Sequence, residues 1–183
     1  MSKTSSPKMF NTPAVFQIAA TAILTALVAV ATILFVFPIP ATSGYFNFGE
    51  IIIYVAALTF GPLTGALSGG TGAMLADIYL GFGVFAPGTL VIKGTEGLIV
   101  GFLNKKLRKH IQNLTLCAVI SVSVGGSVMV TGYFLYELLI GYGFGGALTE
   151  VPFNVIQMLV GMIAAVPIMH AIYRFFPQLK SHL

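Results

Sequence analysis

The sequence predicts an all-α membrane protein, a six-transmembrane-helix bundle with both termini cytoplasmic, and three observations carry that prediction. Hydrophobic residues fill 57% of the 183 positions and charged residues only 8%, against about a quarter charged in an ordinary soluble domain. Apolar runs near the roughly 20 residues that cross a bilayer recur along the whole chain. Basic residues collect in alternate connections, the asymmetry that orients a membrane protein.

Residues 1–12, with Lys3 and Lys8, precede the first apolar run. That run is too long for a signal-peptide core and lacks a small-residue cleavage site at a polar exit, so the segment is read as a retained cytoplasmic tail. The first span covers 13–37 and is closed by Phe37-Pro38-Ile39-Pro40, because proline cannot continue a helix. The second covers 48–60 and is broken by Gly61-Pro62; the third covers 63–80, the fourth 89–103, the fifth 114–140 and the sixth 151–176. Residues 13–176 form one membrane domain, and 177–183 a second cytoplasmic tail. The second span, 48–60, reaches about 20 Å at about 1.5 Å per residue, less than the roughly 30 Å of hydrocarbon. It and the fourth are therefore tilted, begin deeper, or are sheltered by neighbours.

Orientation follows from the basic residues. Lys3 and Lys8 precede the first span, Lys105, Lys106, Arg108 and Lys109 lie between the fourth and fifth, and Arg174 and Lys180 follow the sixth. Six crossings put all of these on one face, which the positive-inside rule makes cytoplasmic. The net charge of +4 thus reports orientation rather than affinity for nucleic acid. Lys93 alone departs from the pattern. The external connections carry Glu50 and Glu150 among Gly, Pro, Phe and Tyr, a composition suited both to closing over an aromatic ligand and to anchoring at the interface.

Several chemistries are excluded. One cysteine, Cys117, supports no disulfide or metal framework. His110, His170 and His182 fall at the cytoplasmic end or beyond it, so the external half holds no histidine for acid–base or metal chemistry. No phosphate-binding loop is present, no nucleophile–base constellation is recognisable, and no cofactor is implied. If the chain transports actively, an ion gradient or a partner supplies the energy.

Gly61, Gly65, Gly69, Ala73 and Asp77 recur at every fourth position of the third span, a nearly bare face that lets another helix approach closely. Ala22 and Ala26 give the first span a similar face, fit for the chain's own bundle or for another membrane protein. The remaining polar residues share a depth. Lys93 and Glu96 lie in the outer half of the fourth span, Tyr133, Tyr136 and Glu137 in the outer third of the fifth, and Asn154 and Gln157 in the first two turns of the sixth. The pairs 93/96, 133/137 and 154/157 are spaced to share a helix face. A charge in the membrane costs about 2.5 to 3.5 kcal/mol at mid-helix and usually faces the protein interior or a water-filled cavity. Two readings fit: Lys93 forms a structural pair with Glu96 or Glu137, or the layer lines an outward-opening pocket for a small polar molecule.

The stretches "NFGEIIIYVAALTFGPLTGALSGGTGAMLADIYLG", "APGTLVIKGTEGLIVG" and "VPFNVIQMLVG", in that order among six helices, resemble the substrate-binding S component of an energy-coupling-factor (ECF) vitamin transporter. The resemblance covers about 14–173, and the nearest branch is the riboflavin type, with its hydroxymethylpyrimidine and pyridoxine carriers. It implies a prokaryotic plasma-membrane protein, itself no enzyme, that works with a transmembrane T component and two ATP-hydrolysing subunits. It implies ligand near the external side against the last three helices, and docking of Ala22 and Ala26 on the T component. Lys93, Glu96, Glu137, Asn154 and Gln157 offer donors and acceptors for a small heteroaromatic vitamin or precursor. Tyr45, Phe46, Tyr133 and Phe153 offer rings to stack on it, there being no tryptophan. Hydroxymethylpyrimidine or pyridoxine ranks first and riboflavin second. The competing expectation is an autonomous ion-coupled transporter using Lys93, Glu96 and Glu137 as a proton relay.

Overall fold

The computed structural model describes residues 12–39, 44–177 and 179. In chain order the elements are α1 (Thr12–Leu34), a short antiparallel ribbon of β1 (Phe37–Pro38) and β2 (Tyr45–Phe46), α2 (Gly49–Phe60), α3 (Pro62–Leu80), α4 (Ala86–Leu107), α5 (Leu114–Leu139) and α6 (Gly143–Phe175). Lys3, Lys8, Lys180 and nearly all of the two expected tails lie outside the described residues.

The burial pattern departs from that of an aqueous globule in being apolar outside as well as inside, with charges among the buried residues. Large apolar side chains such as Ile18, Ile23, Leu139 and Ile163 face outward, while Glu50, Lys93, Glu96 and Asn104 are buried. Helices α1, α5 and α6 are long and apolar enough to cross a membrane, and α2 is a shorter apolar helix. The expected third and fourth spans, now α3 and α4, miss that standard of apolarity. Their buried positions are occupied by residues such as Thr64, Gly65, Ser68 and Asp77 on α3 and Thr89, Lys93, Glu96 and Gly97 on α4. Residues packed against protein need not match lipid.

The bare face of α3 is a packing seam. A β-carbon on Gly65 would fall 2.6 Å from that of Ala57 on α2, and one on Gly97 of α4 would fall 2.3 Å from the Gly65 carbonyl oxygen. Such approach needs glycine. Helix α2 is the centre of the bundle, with Tyr54 and Leu58 packed among Val100, Val122 and Met169. Its end is completed by other helices. The Leu58 carbonyl would ordinarily accept from the residue four positions on, but that residue is Pro62, which has no N–H. Asn104 Nδ2 at 3.2 Å and the Tyr173 hydroxyl at 2.7 Å donate to it instead.

Four boundaries differ from expectation by three residues or more. Helix α1 stops at Leu34 rather than 37, because Phe37 and Pro38 enter the ribbon opposite Phe46 and Tyr45. Helix α4 starts at Ala86 rather than 89 and continues to Leu107 rather than 103. Helix α6 starts at Gly143 rather than 151. Pro152 favours a helix start near 151, yet inside α6 it removes only one backbone donor, and the glycines at 141 and 143, with φ of 93° and 70°, make the turn from α5 earlier. Glu150, expected in a loop, is therefore a helical residue, and Asn154 and Gln157 sit deeper along α6 than its first two turns.

Candidate functional site

Helices α1 and α3 to α6 and the segment 44–47 line a cavity of about 40 Å³. Of the residues singled out in the sequence, Tyr45, Tyr133, Glu137, Asn154 and Gln157 line it. Tyr133 donates its hydroxyl to Thr89 Oγ1 at 3.1 Å, which joins α5 to α4 across the wall. Tyr136 stands aside and donates to the Val84 carbonyl at 2.7 Å.

Lys93, Glu96 and Phe46 are not on the wall. Phe46 belongs to an aromatic group with Phe37 and Phe48, at centroid distances of 6.0 and 5.5 Å, because the ribbon turns its ring away from Tyr45. Lys93 and Glu96 form a buried ionic cluster. The Lys93 ammonium hydrogen-bonds to Glu50 and lies 3.3 Å from Glu96 Oε2, and the Tyr54 hydroxyl donates to Glu96 Oε1 at 2.7 Å. Glu137, the other partner considered for Lys93, is not in this cluster. Burying charges without pairing costs several kcal/mol per ion. Glycine makes room for the group: a β-carbon on Gly161 of α6 would fall 2.8 Å from the Tyr54 ring and 2.9 Å from Glu50 Cγ.

Gln157 connects the cluster to the cavity. Its Nε2 donates to Glu50 Oε2 at 3.1 Å, while its Oε1 accepts from the Asn47 backbone N–H at 3.0 Å. Lys93 also lies 5.6 Å from the centroid of the Tyr133 ring, close enough for a cation–π contact. The ionic cluster thus supports two side chains of the wall without entering it.

The segment 44–47 crosses the cavity as a strap with three polar fastenings. Tyr45 donates its hydroxyl to Asp77 on α3, the Gly44 backbone N–H donates to the Glu150 carboxyl on α6, and Asn47 holds Gln157. The Tyr45 ring also packs on Phe82, with centroids 4.8 Å apart. Burial and the adjoining Asp77 carboxylate push the Tyr45 hydroxyl far above its ordinary pKa, so it acts as a donor. A β-carbon on Gly44 would lie 2.1 Å from Glu150 Oε1, so a larger residue there would make that carboxyl shift.

The wall also includes Thr32, Asn47, Asp77, Phe85, Thr89 and Glu150, which the sequence did not single out as a group. Asp77 was visible only as the polar end of a glycine face, and Glu150 as a loop residue. Among the described residues, no group of three or more His, Cys, Asp or Glu is arranged to hold a metal. Ala22 and Ala26 lie far from this, exposed on α1 beside Ile23 and Leu27, so the small face turns outward rather than into the chain's own bundle.

Comparison with known proteins gives a consistent picture. A family model described as the S component of an ECF-type riboflavin transporter matches residues 13–174. The chain is 43% identical over 136 residues to an uncharacterised protein of Pyrococcus woesei, covering 74% of this chain and 87% of that one. It is 31% identical over 159 residues to the thiamine precursor transporter HmpT of Lactococcus lactis subsp. cremoris, covering 86% and 88%. Among solved structures, the S component of a bacterial ECF transporter superposes with a TM-score of 0.72 at 19% identity, covering 88% of this chain and 98% of that one. The biotin S component of an ECF-type ABC transporter gives 0.63 at 19%, covering 91% and 94%. The family match over nearly the whole chain, with a fold shared by two solved S components, makes this chain a member of the ECF transporter S components, the membrane-embedded substrate-binding subunits of that transporter class.

Proposed function

We propose that the chain binds a small heteroaromatic vitamin or vitamin precursor at the external side of a prokaryotic plasma membrane and passes it inward with a T component and two ATP-hydrolysing subunits. Hydroxymethylpyrimidine or pyridoxine is the first choice and riboflavin the second. The observation that carries this reading is the cavity under the 44–47 strap, where rings of Tyr45, Phe85 and Tyr133 meet the amides of Asn47, Asn154 and Gln157. Rings supply contact area for a flat heterocycle and polar groups fix its orientation. The thiamine precursor transporter among the relatives supports the small heterocycle over the flavin.

In this arrangement six helices cross the bilayer with both termini cytoplasmic, and Ala22 with Ala26 docks on the T component. Tyr45, Tyr133, Glu137, Asn154 and Gln157 contact ligand, joined by Asp77, Asn47 and Glu150. Lys93 and Glu96 hold the floor on which Gln157 rests. About 40 Å³ suits a few waters, each needing roughly 10–15 Å³, so a heterocycle enters only as the strap lifts.

The test is calorimetric titration of the purified chain in lipid nanodiscs with hydroxymethylpyrimidine, pyridoxine and riboflavin. Submicromolar binding of one of the smaller two is expected, and absence of binding by all three would overturn the reading. Vesicles holding this chain alone should not concentrate the ligand under a proton gradient. Sustained uptake there would favour an autonomous transporter instead.

A further inference from the structure

The cavity has an asymmetry of charge that points to the part of the ligand it reads. Asp77, Glu137 and Glu150 all line it and are 2%, 3% and 4% exposed, and among the described residues no lysine, arginine or histidine does. The nearest cation, Lys93, is engaged by Glu50 and Glu96. Two of the wall carboxyls are incomplete: Glu137 Oε2 and Asp77 Oδ2 are buried and make no hydrogen bond. Thr89 flanks Asp77 without completing a bond to Oδ2. A buried polar atom left unsatisfied costs about 1 to 3 kcal/mol, and more when charged. An incoming N–H donor relieves that cost by completing the missing hydrogen bond.

We infer that the cavity selects its ligand through an N–H donor, the exocyclic amino group of an amino-substituted nitrogen heterocycle, which meets Glu137 and Asp77, and that it rejects anionic forms such as a phosphate ester. This deepens the vitamin-carrier reading and rests on it. The three carboxyls act in opposite senses on the two kinds of ligand. Glu137 and Asp77 complete their hydrogen bonds on an amino group, whereas a phosphate finds carboxyls and no cation in the same space. A site built to hydrogen-bond a substrate N–H discriminates strongly against the analogue without it, because its own buried groups are then left unpaired.

The experiment compares three probes on the chain in nanodiscs: aminohydroxymethylpyrimidine, the analogue with hydrogen in place of the exocyclic amine, and the phosphate ester of the first. The amine is expected to bind at least about 100-fold more tightly than the analogue, and the ester not measurably. Glu137→Gln should shrink the amine preference at least tenfold, and Asp77→Asn serves the same purpose if the first variant fails to fold. Equal binding of amine and analogue, tight binding of the ester, or binding of riboflavin alone overturns the inference while leaving the carrier reading standing. If no heterocycle binds, the carrier reading and this inference fall together.

Discussion

Gln157 on α6 donates to Glu50 on α2 across 3.1 Å, so one amide belongs both to the cavity wall and to the buried ionic cluster. Replacing it by glutamate puts a third carboxyl against Glu50 and Glu96 with only Lys93 to balance them. Gln157→Glu should lose ligand binding and lower the unfolding temperature in detergent. Gln157→Met should lose binding with a smaller effect on stability, since Glu50 keeps Lys93.

Lys93 should matter more to the fold than to ligand contact. Lys93→Met leaves Glu50 and Glu96 buried without their cation, and breaking a buried pair in this way costs about 3 to 5 kcal/mol. The expected outcome is loss of monodisperse protein on size exclusion. Lys93→Met combined with Glu50→Gln and Glu96→Gln should recover much of it, because the uncompensated charges go together. A stable single variant that fails only in binding would place Lys93 on the ligand.

Much of this was legible in the chain, and the limits have physical causes. The seam of α3 showed because four-residue periodicity is a local property, and Lys93 showed because a cation outside the segments expected to be cytoplasmic violates a global one. Its partner did not show. Glu50 is 43 residues away at the head of α2, where a carboxylate reads as a loop residue facing water. The start of α6 was hidden by Gly143, Gly145 and Gly146, which weaken helix propensity, and by Pro152; packing of Ala147 and Glu150 overrides both. Asp77 and Glu150 join the cavity only because the strap lies over them, a relation between segments that no single-helix pattern contains.

Gly44 tests the strap. A methyl group there would fall 2.1 Å from Glu150 Oε1, so that carboxyl must shift and this fastening weakens, while Asn47 still holds Gln157 and the helices remain packed. Gly44→Ala should keep its unfolding temperature within a few degrees and bind ligand at least tenfold more weakly in the same titration. Normal affinity would show that the strap seals the cavity without this contact.

At the outward face of α1, binding and transport should come apart. Ala22→Trp with Ala26→Trp adds bulk where the described residues leave the surface bare, so ligand affinity should be unchanged. Co-purification with the T component and vitamin uptake by cells should both be lost. Retained uptake would remove these alanines from the docking surface.

The short α2 has a consequence for how the protein is made. Its 12 residues reach about 18 Å, and its first turn carries Glu50, whose counter-ion leaves the ribosome 43 residues later. Until α4 emerges, Glu50 has only water to solvate its charge, so α2 and α3 should settle at full depth after α4 arrives rather than one by one. Nascent chains arrested before Lys93 should leave the thiol of an Ile53→Cys variant, one turn from an intact Glu50 and at a position buried in the finished fold, open to aqueous reagents, and chains arrested well beyond Leu107 should bury it.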